Sequence, residues 1–333
     1  MSSPLNKLVD KVYIINLDTD VERMAKMDAQ MKTLGIEYTR FSAINGANIV
    51  HNKHLSEFCN VFCTNGMKGC ALSHLYIWQD MVRNKYSNVC IFEDDAVLVD
   101  NFNESIDTAW KQLPKDYNIF YLGCGFSCTD KHFIPTIAHT ILNTTPQPLD
   151  TNILSVDGSI GTHAYIISKK TANIFQSLPI ITHIDLQIRL WSEQFKLKTY
   201  SINPLIVQTS GNEMTGGSKL AESFPYILNK ILYNISISNN ITIGWLMNEN
   251  SMKIGPININ GILIYLFIFI LLIPTKDYWF PVAWLLLEFL YSFDLNNTAK
   301  IATVFGIAAG LKFLVLHKVF PISQSLTKNI FEK

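Results

Sequence analysis

The chain has 333 residues, and its 27 basic and 27 acidic side chains leave no formal net charge. That length allows one large α/β domain or two smaller domains, each with a sizeable core. Zero net charge argues against a protein that binds nucleic acid through its phosphates, because such binding needs a basic field. A hydrophobic content of 48% excludes a disordered chain and is high for a purely soluble enzyme.

The N-terminus and the cysteines predict a reducing compartment. Residues 1–11 lack an apolar run of about 7 to 15 residues, so we expect no cleavable signal peptide. A long chain without such a signal is expected to keep its thiols reduced and its N-terminal domain in the cytoplasm. The six cysteines are Cys59, Cys63, Cys70, Cys90, Cys124 and Cys128.

The N-terminal half alternates between short apolar runs and amphipathic segments. Val12–Leu17 is a continuous apolar run, as in a strand buried on both faces, and Val21–Leu34 has a helical pattern that ends at Gly35. Asp18 is the predicted N-cap of that helix. Further strands are predicted over 37–42, 88–92, 118–122 and 162–168, and further helices over 69–84 and 169–178. This alternation indicates α/β layers around a largely parallel sheet.

The apolar excess lies at the C-terminus. Three stretches, at about 257–273, 280–293 and 301–316, carry few charges, chiefly Glu288 and Lys312. Each is at or below the roughly 17–25 residues with which a helix spans a bilayer. We therefore predict two or three transmembrane segments within 257–318, after a connecting region over 216–256 and before a tail over 319–333. The alternative is three buried helices of a second soluble domain.

The strongest chemical signal is the acidic run Glu93, Asp94 and Asp95, which directly follows a predicted buried strand. Three adjacent carboxylates repel one another, and their burial is costly without a compensating cation. Carboxylate oxygens suit Mg²⁺ or Mn²⁺, which share their coordination with phosphates. The alternative is a solvated acidic loop that caps the next helix.

Three upstream features are less specific. Asp18 and Asp20 begin a helix, where acids favour the positive end of the dipole, so a structural role is favoured for them. Arg23, one turn further, can bind a diphosphate bidentately or form a surface ion pair with Asp20 or Glu22. The segment 69–74 is expected to open a helix whose free N–H groups can bind an anion, although its histidine can equally be packed.

Taken together, these motifs resemble those of glycosyltransferase family 25, which includes bacterial lipooligosaccharide galactosyltransferases and animal procollagen galactosyltransferases. Each motif alone is weak, but the set runs in family order over about residues 10–215. The matching segments are 12–18 with Arg23, 40–46, 69–74, 91–96, 161–168 with Ala172, 184–185 and 204–208.

The resemblance implies a GT-A-type, Rossmann-like nucleotide-sugar-binding domain over 10–215, followed by a C-terminal helical membrane region. It also implies inverting transfer from a UDP-sugar, commonly UDP-galactose. The donor-binding residues it implies are Asn16, Leu17, Arg23, Ala43, Gly46, Ser73, His74 and Asp94. The metal ligands it implies for Mn²⁺ or Mg²⁺ are Glu93 and Asp95, with Asp95 as the first choice.

An inverting transfer also needs a carboxylate that takes the proton of the acceptor hydroxyl. Asp185 is the first candidate by motif and Asp157 the second; the alternative for Asp185 is an N-cap of a helix over 186–191. The predicted function is a membrane-anchored, metal-dependent hexosyltransferase, with a glycan, glycolipid or protein acceptor and no nucleic acid partner. The alternative is a catalytically inactive, membrane-bound relative that binds a sugar or a nucleotide sugar.

Overall fold

The structure is a computed structural model that describes residues 2–125, 128, 136–137, 140, 144–157, 160–210, 225–232, 234–238, 241–248, 250–255 and 257–331. The chain divides into two units. The first comprises Met1–Met214, Ser236–Ile241 and Met252–Pro256, and the second comprises Thr215–Ile235, Thr242–Ser251 and Ile257–Lys333. The predicted connecting region over 216–256 lies partly outside the described residues, and it contributes segments to both units.

The strands are, in chain order, β1 (Lys11–Asn16), β2 (Thr39–Ser42), β3 (Asn88–Glu93), β4 (Ala96–Leu98), β5 (Ile119–Gly123), β6 (Gln147–Asp150), β7 (Ile153–Ser155), β8 (Ala164–Ser168), β9 (Thr199–Ile202), β10 (Val207–Thr209), β11 (Ser236–Ser238), β12 (Ile241–Thr242), β13 (Asn250–Ile254) and β14 (Ile257–Asn260). The helices are α1 (Leu5–Leu8), α2 (Val21–Leu34), α3 (Glu57–Phe62), α4 (Asn65–Arg83), α5 (Phe102–Gln112), α6 (Lys169–Phe175), α7 (Ile184–Gln194), α8 (Tyr226–Leu232), α9 (Ile243–Asn248), α10 (Gly261–Leu272), α11 (Trp279–Ser292) and α12 (Leu295–Phe331).

The first unit is built on one mixed sheet with the strand order β2-β1-β3-β8-β5-β9-β7-β6. β1 pairs in parallel with β2 and β3, and β5 pairs in parallel with β9. β8, however, runs antiparallel between β3 and β5, and β7 pairs antiparallel with both β9 and β6, so the prediction of a largely parallel sheet is wrong. A continuous apolar run predicts a strand buried on both faces but does not reveal the direction of its neighbours.

Alternate residues of the sheet enter two hydrophobic layers. Ile91 and Tyr165 pack with buried residues of α4, α6 and α7, whereas Phe92 and Ile166 pack with those of α2 and α5. This division follows from the period of two along a strand. Trp78 of α4 is fully buried in the first layer, and burial of one such large side chain contributes about 1.5–3 kcal/mol. Helices on both faces thus leave the ends of the strands as the place for a ligand.

The start of α2 differs from the prediction, whereas its end agrees. The N-cap is Asp20, and its side chain makes no capping hydrogen bond. Asp18 instead accepts hydrogen bonds from Arg40 and Ser42, which lie on β2 and lower the pKa of its carboxyl. Gly35 ends the helix with a left-handed φ of 67°, a conformation that favours glycine.

The helix α4 begins four residues before the predicted start. Its N-cap Thr64 accepts a hydrogen bond from the N–H of Met67, and the helix runs from Asn65. The segment 69–74 therefore lies inside the helix, where the backbone N–H groups are used by the helix itself. The anion site expected at its first turn does not exist in that form.

Two pairs of cysteines are joined, contrary to the expectation of reduced thiols. Cys59 is bonded to Cys63, and Cys124 is bonded to Cys128. Their Cα atoms lie 4.6 and 6.1 Å apart, within the usual range for a disulfide. The expectation of reduced thiols is based on the N-terminal segment, and a C-x3-C spacing does not by itself show whether two thiols are bonded. Disulfides are typical of oxidising compartments, which bears on the expected cytoplasmic location.

The second unit contains the apolar C-terminal helices. Residues of α10 (Ile262, Leu266 and Ile270) and of α12 (Ile301, Phe305 and Ala308) form its buried cluster. Many large apolar side chains of the same helices are exposed, including Tyr265, Trp279, Leu286 and Phe313. Exposed apolar surface of this extent marks a membrane or protein contact.

One helix of the described residues is long and apolar enough to cross a membrane. It is the Leu295–Val315 part of α12, 21 residues with a mean hydropathy of 1.5. α10 and the segment Thr275–Ser292 pass the same test only as a pair, which is bent by 116°. The first predicted segment begins with β14 rather than with a helix. These helices are weak evidence for a membrane anchor, because a core helix of a soluble protein also passes such a test.

Candidate active site

The acidic run lies at an edge of the sheet where two parallel strands end. β3 ends at Glu93, and Asp94 and Asp95 form the turn to β4. The neighbouring strand β1 ends at Asn16 and is followed by Leu17. Open α/β sheets bind ligands outside the carboxyl ends of their strands, so this edge is the candidate active site.

Asp94 connects the two strand ends to α2. Its Oδ2 accepts a hydrogen bond from Asn16 Nδ2 at 2.7 Å, and its Oδ1 lies 3.0 Å from Nη1 of Arg23. Asn16 Oδ1 accepts in turn from Nε of Arg40 at 2.8 Å. Burial raises the pKa of Asp94, and the contacts with Asn16 and Arg23 oppose that rise. Arg23 thus has its partner in the acidic run, which places a guanidinium at the candidate site.

Asp95 has a carboxylate oxygen without a protein partner. Its Oδ1 is buried and accepts no hydrogen bond from the part of the chain that the structure describes. Burial, followed by the charge of Glu93, raises the pKa of Asp95 to about 7. A hard divalent cation would satisfy this oxygen and reduce the repulsion, so Glu93 and Asp95 fit the ligand set of Mn²⁺ or Mg²⁺.

Glu93 is held through one oxygen by two neighbours. Its Oε1 accepts from Oγ1 of Thr162 at 2.5 Å and lies 3.4 Å from Nε2 of His74. Burial alone would raise the pKa of Glu93, but the hydrogen bonds with His74 and with the Thr162 hydroxyl lower it to about 2. The side chain is 27% exposed, so a bound ligand can still reach it. Glu93 is therefore a fixed, ionised carboxylate at neutral pH.

The loop after β2 packs directly on α4, and glycine makes this possible. A Cβ atom on Gly46 would lie 1.8 Å from the backbone oxygen of Asn65. One on Gly69 would lie 2.3 Å from the backbone oxygen of Ile44. Only hydrogen at these two positions allows such an approach. The loop that carries two of the predicted donor-binding residues is thus fixed against the helix.

Ser73 and His74 are fully buried rather than lining an open surface. Ser73 Oγ accepts from the N–H of Ile44 at 2.9 Å, which holds the loop from behind. The N–H of Ala43 donates to the carbonyl of Asn16 at 2.9 Å and joins the same loop to β1. The donor-binding roles of these residues stay predictions, and for Ser73 the role would be exerted through the loop.

Asp185 lies in the first turn of α7, beside the N-cap His183. Its Oδ1 accepts from the N–H of Leu186 at 2.6 Å and lies 2.5 Å from Nδ1 of His183. Burial raises the pKa of Asp185, but the charge and hydrogen bond of His183 lower it overall. The charge of Glu93 also acts on this carboxyl, which puts Asp185 within electrostatic reach of the acidic run. The N-cap alternative for Asp185 is wrong, because His183 occupies that position.

Asp157, the second predicted base, is exposed and follows β7. Residues 158–159, which come next, lie outside the described part of the chain. Its role as a base stays a prediction.

Residues at the start of β8 contact the acidic run but had no assigned role. Besides Thr162, the carbonyl of His163 accepts from the N–H of Glu93 at 3.0 Å, and burial lowers the pKa of the His163 ring. A Cβ atom on Gly123 would lie 2.4 Å from this ring, so β5 also meets it. The sequence feature that could have identified these residues is the polar Thr-His pair directly before an otherwise apolar strand.

Cys70, His74 and Glu93 are the described residues whose ligand atoms lie close enough together to hold a metal as a group of three. Each offers one ligand atom, and the three atoms lie within 4.8 Å of one another. Sulfur, nitrogen and oxygen ligands together are typical of zinc rather than of Mg²⁺. This arrangement shares Glu93 with the carboxylate site, so one cation could not use both sets of ligands in full.

Comparison with known proteins identifies the same region. The model of glycosyltransferase family 25 (LPS biosynthesis protein) matches residues 9–187. The procollagen lysyl hydroxylase and glycosyltransferase of Acanthamoeba polyphaga mimivirus is 25% identical over 243 residues, which are 62% of this chain and 25% of that protein. The lipooligosaccharide biosynthesis protein lic2B of Haemophilus influenzae is 25% identical over 168 residues, 47% of this chain and 59% of that protein.

Some relatives are named as inactive. The probable inactive glycosyltransferase 25 family member 3 of Rattus norvegicus is 27% identical over 128 residues, 34% of this chain and 22% of that protein. The chain thus spans about a quarter of these viral and rat relatives and less than two thirds of the bacterial one. A solved glycosyltransferase involved in the glycosylation of the major capsid of PBCV-1 aligns with a TM-score of 0.28 and 8% identity over 50% of this chain and 62% of that chain.

Proposed function

The chain belongs to glycosyltransferase family 25, and we propose that it transfers a hexose from a UDP-sugar to a hydroxyl group of a glycan, glycolipid or protein. Galactose is the expected sugar. The observation that carries the proposal is the acidic run after β3, where Asp95 keeps a buried oxygen without a partner among the described residues. Such an arrangement destabilises the fold, which favours a role in ligand binding. The mixed sheet with its ligand edge at β1 and β3 supports a GT-A-type domain.

In this proposal Glu93 and Asp95 hold Mn²⁺ or Mg²⁺. When bound, the cation neutralises the charge that develops on the leaving diphosphate. Arg23, held beside Asp94, orients the diphosphate through its guanidinium, which matches phosphate geometry. The rigid loop that contains Ala43 and Gly46, together with Asn16 and Leu17, forms the wall of the nucleotide pocket.

Asp185 is the proposed base, and inversion at the anomeric carbon follows from its use. An inverting transfer needs a carboxylate that takes the proton of the acceptor hydroxyl as that oxygen attacks. The lowered pKa of Asp185 keeps it ionised at neutral pH, as a base must be. His183 contacts its Oδ1 and fixes the orientation of the carboxylate.

The apolar helices of the second unit support a membrane location. We propose that α12 anchors the chain in a bilayer, close to a lipid-linked or membrane-protein acceptor. The exposed side chains of Trp279, Leu286 and Phe313 would contact lipid. Flotation of the full chain with vesicles after carbonate washing tests the anchor, and release into the soluble fraction would refute it.

The activity is tested by UDP release from a panel of nucleotide sugars. The full chain in detergent is assayed with Mn²⁺, with EDTA, and as the Asp95→Ala variant. We expect release from one donor, dependent on the metal and lost in the variant. An exposed acid, Asp116, provides the control, because Asp116→Ala removes a surface ion pair with Lys198 only. A folded protein that turns over no donor would favour the inactive relative, whereas release that survives both EDTA and Asp95→Ala would refute the metal site.

A further inference from the structure

His74 lies between Glu93 and a second buried group. Its Nε2 is 3.4 Å from Glu93 Oε1, and its Nδ1 is 2.9 Å from the hydroxyl of Tyr165. That hydroxyl also accepts from Nε1 of Trp78 at 3.1 Å. We infer that Tyr165 and Trp78 fix the proton of His74 on Nε2, so that His74 is a positioning residue that donates to Glu93 and is not a metal ligand.

The direction of each hydrogen bond follows from the donor inventory. Trp78 Nε1 can only donate, so the hydroxyl oxygen of Tyr165 is an acceptor in that contact. The O–H of Tyr165 then needs an acceptor of its own, and in the described part of the chain the one in contact with it is Nδ1 of His74. Because Nδ1 accepts, the proton of the neutral imidazole lies on Nε2, which faces Glu93.

The burial of the three side chains supports the assignment of the His74 proton to Nε2. The side chains of His74, Trp78 and Tyr165 are all inaccessible to solvent, so water cannot replace a missing partner. His74 and Trp78 are four residues apart on α4 and share one face of it, and the ring of Tyr165 on β8 lies 5.7 Å from the ring of His74. The helix and the strand therefore fix both ends of the hydrogen-bond series.

The opposite tautomer would be needed for the zinc-like arrangement with Cys70. A metal on Nε2 requires its lone pair, and the ring proton would then lie on Nδ1 and be donated to Tyr165. The Tyr165 oxygen would accept twice, and its own O–H would be left without an acceptor among the described residues, which is costly in a dry interior. The geometry thus assigns Nε2–H to Glu93.

The consequence for Glu93 is a defined orientation. His74 and Thr162 both approach Oε1, so this oxygen is turned toward the interior. The other oxygen, Oε2, is then the one presented to the ligand of the acidic run. Removal of a residue that hydrogen-bonds to a metal ligand commonly lowers metal affinity or activity by about 10- to 100-fold.

The tautomer is measured by ¹⁵N NMR on the full chain in detergent, labelled at its eight histidines. Two-bond ¹H–¹⁵N correlations distinguish protonated from unprotonated ring nitrogens, and loss of a signal in His74→Gln assigns it. We expect an Nε2–H tautomer in the native chain and a mixture in Tyr165→Phe. A native signal with the proton on Nδ1, or a Zn²⁺-induced shift of an unprotonated Nε2, would overturn the inference.

A kinetic comparison of variants tests whether the tautomer of His74 affects activity, and this test rests on the proposed function. Tyr165→Phe should lower kcat/KM for the donor by about 10-fold or more. Tyr117→Phe makes the same change at a buried tyrosine of the other hydrophobic layer and should leave kcat/KM unchanged. Wild-type kinetics in Tyr165→Phe would refute the positioning role. If the native chain turns over no donor, the proposed function fails while the NMR result still decides the tautomer.

Discussion

Arg23 and Asp94 form a largely buried ion pair between residues 71 positions apart in the chain, with Nη1 3.0 Å from Oδ1. The pair joins α2 to the turn after β3, so it fixes the helix next to the acidic run. Its side chains are 18% and 11% exposed, which limits screening by solvent. Arg23 therefore stabilises the acidic run and is placed to contact a diphosphate.

Removal of Arg23 should weaken both the fold and donor binding. Arg23→Ala leaves the carboxylate of Asp94 buried, with the side chain of Asn16 still bonded to it. We expect the free energy of unfolding to fall by about 1–3 kcal/mol. The thermal midpoint of the full chain measures this loss. Arg23→Ala combined with Asp94→Ala should recover part of it, because no unpaired charge is then buried. Equal midpoints for the native chain and Arg23→Ala would contradict the role of the pair.

Asp95→Asn should separate stability from activity. The amide removes a buried charge that repels Glu93, so we expect an equal or higher thermal midpoint. Donor turnover should fall by about 100-fold or more, because the ligand set of the cation is lost. Mn²⁺ should raise the midpoint of the native chain but not that of the variant. A clear loss of stability in Asp95→Asn would show that the carboxylate has a structural partner.

Two glycines of α4 give a matched pair of substitutions. Gly69→Ala places a Cβ atom 2.3 Å from a backbone oxygen. We therefore expect the free energy of unfolding to fall by about 1–3 kcal/mol. Gly66→Ala has open space around its Cβ and should stabilise the helix by about 0.5–1 kcal/mol. Thermal midpoints of the two variants should thus move in opposite directions. A tolerated Gly69→Ala would mean that the loop can leave the helix.

His183 should control the acidic limb of the pH–rate profile. The folded pKa of Asp185 is lowered, so the carboxylate is present at neutral pH and is lost only as the pH falls through that lowered value. His183→Ala removes the charge and the hydrogen bond of His183, which lower the pKa of Asp185, but leaves the burial and the Leu186 N–H, so the limb should move to higher pH. His51→Ala changes an exposed histidine and is the control. An unmoved limb would exclude Asp185 as the base.

The cysteines predict a thiol count. Two thiols, those of Cys70 and Cys90, lie outside the disulfides. Protein denatured at lysis in the presence of an alkylating agent should therefore take up two alkyl groups per chain without reductant, and six when it is reduced first. Two thiols would indicate an oxidising compartment for the first unit. Six thiols without reduction would contradict the disulfides and support the cytoplasmic location.

Local patterns predicted the parts of the site that lie on one segment. The apolar run before Glu93 predicted the strand, and the adjacent acidic residues predicted a site at the end of that strand. The partners of the site come from distant segments, and nothing in a single sequence reveals that Thr162 contacts Glu93 or that Tyr165 contacts His74. Tyr165 reads as a core residue of an apolar strand, and it is one; its hydroxyl acquires a role only through contacts with α4. The antiparallel insertion of β8 escaped prediction for the same reason.

That insertion also sets the order in which the sheet can be completed during synthesis on the ribosome. β3 can pair with β1, which precedes it, but both sheet neighbours of β5, namely β8 and β9, follow it in the chain. A nascent chain that stops short of residue 164 therefore exposes one edge of β3 and both edges of β5, which is a hazard for aggregation. β8 covers the edge of β3 and one edge of β5, and the second edge of β5 is covered only when β9 has been synthesised.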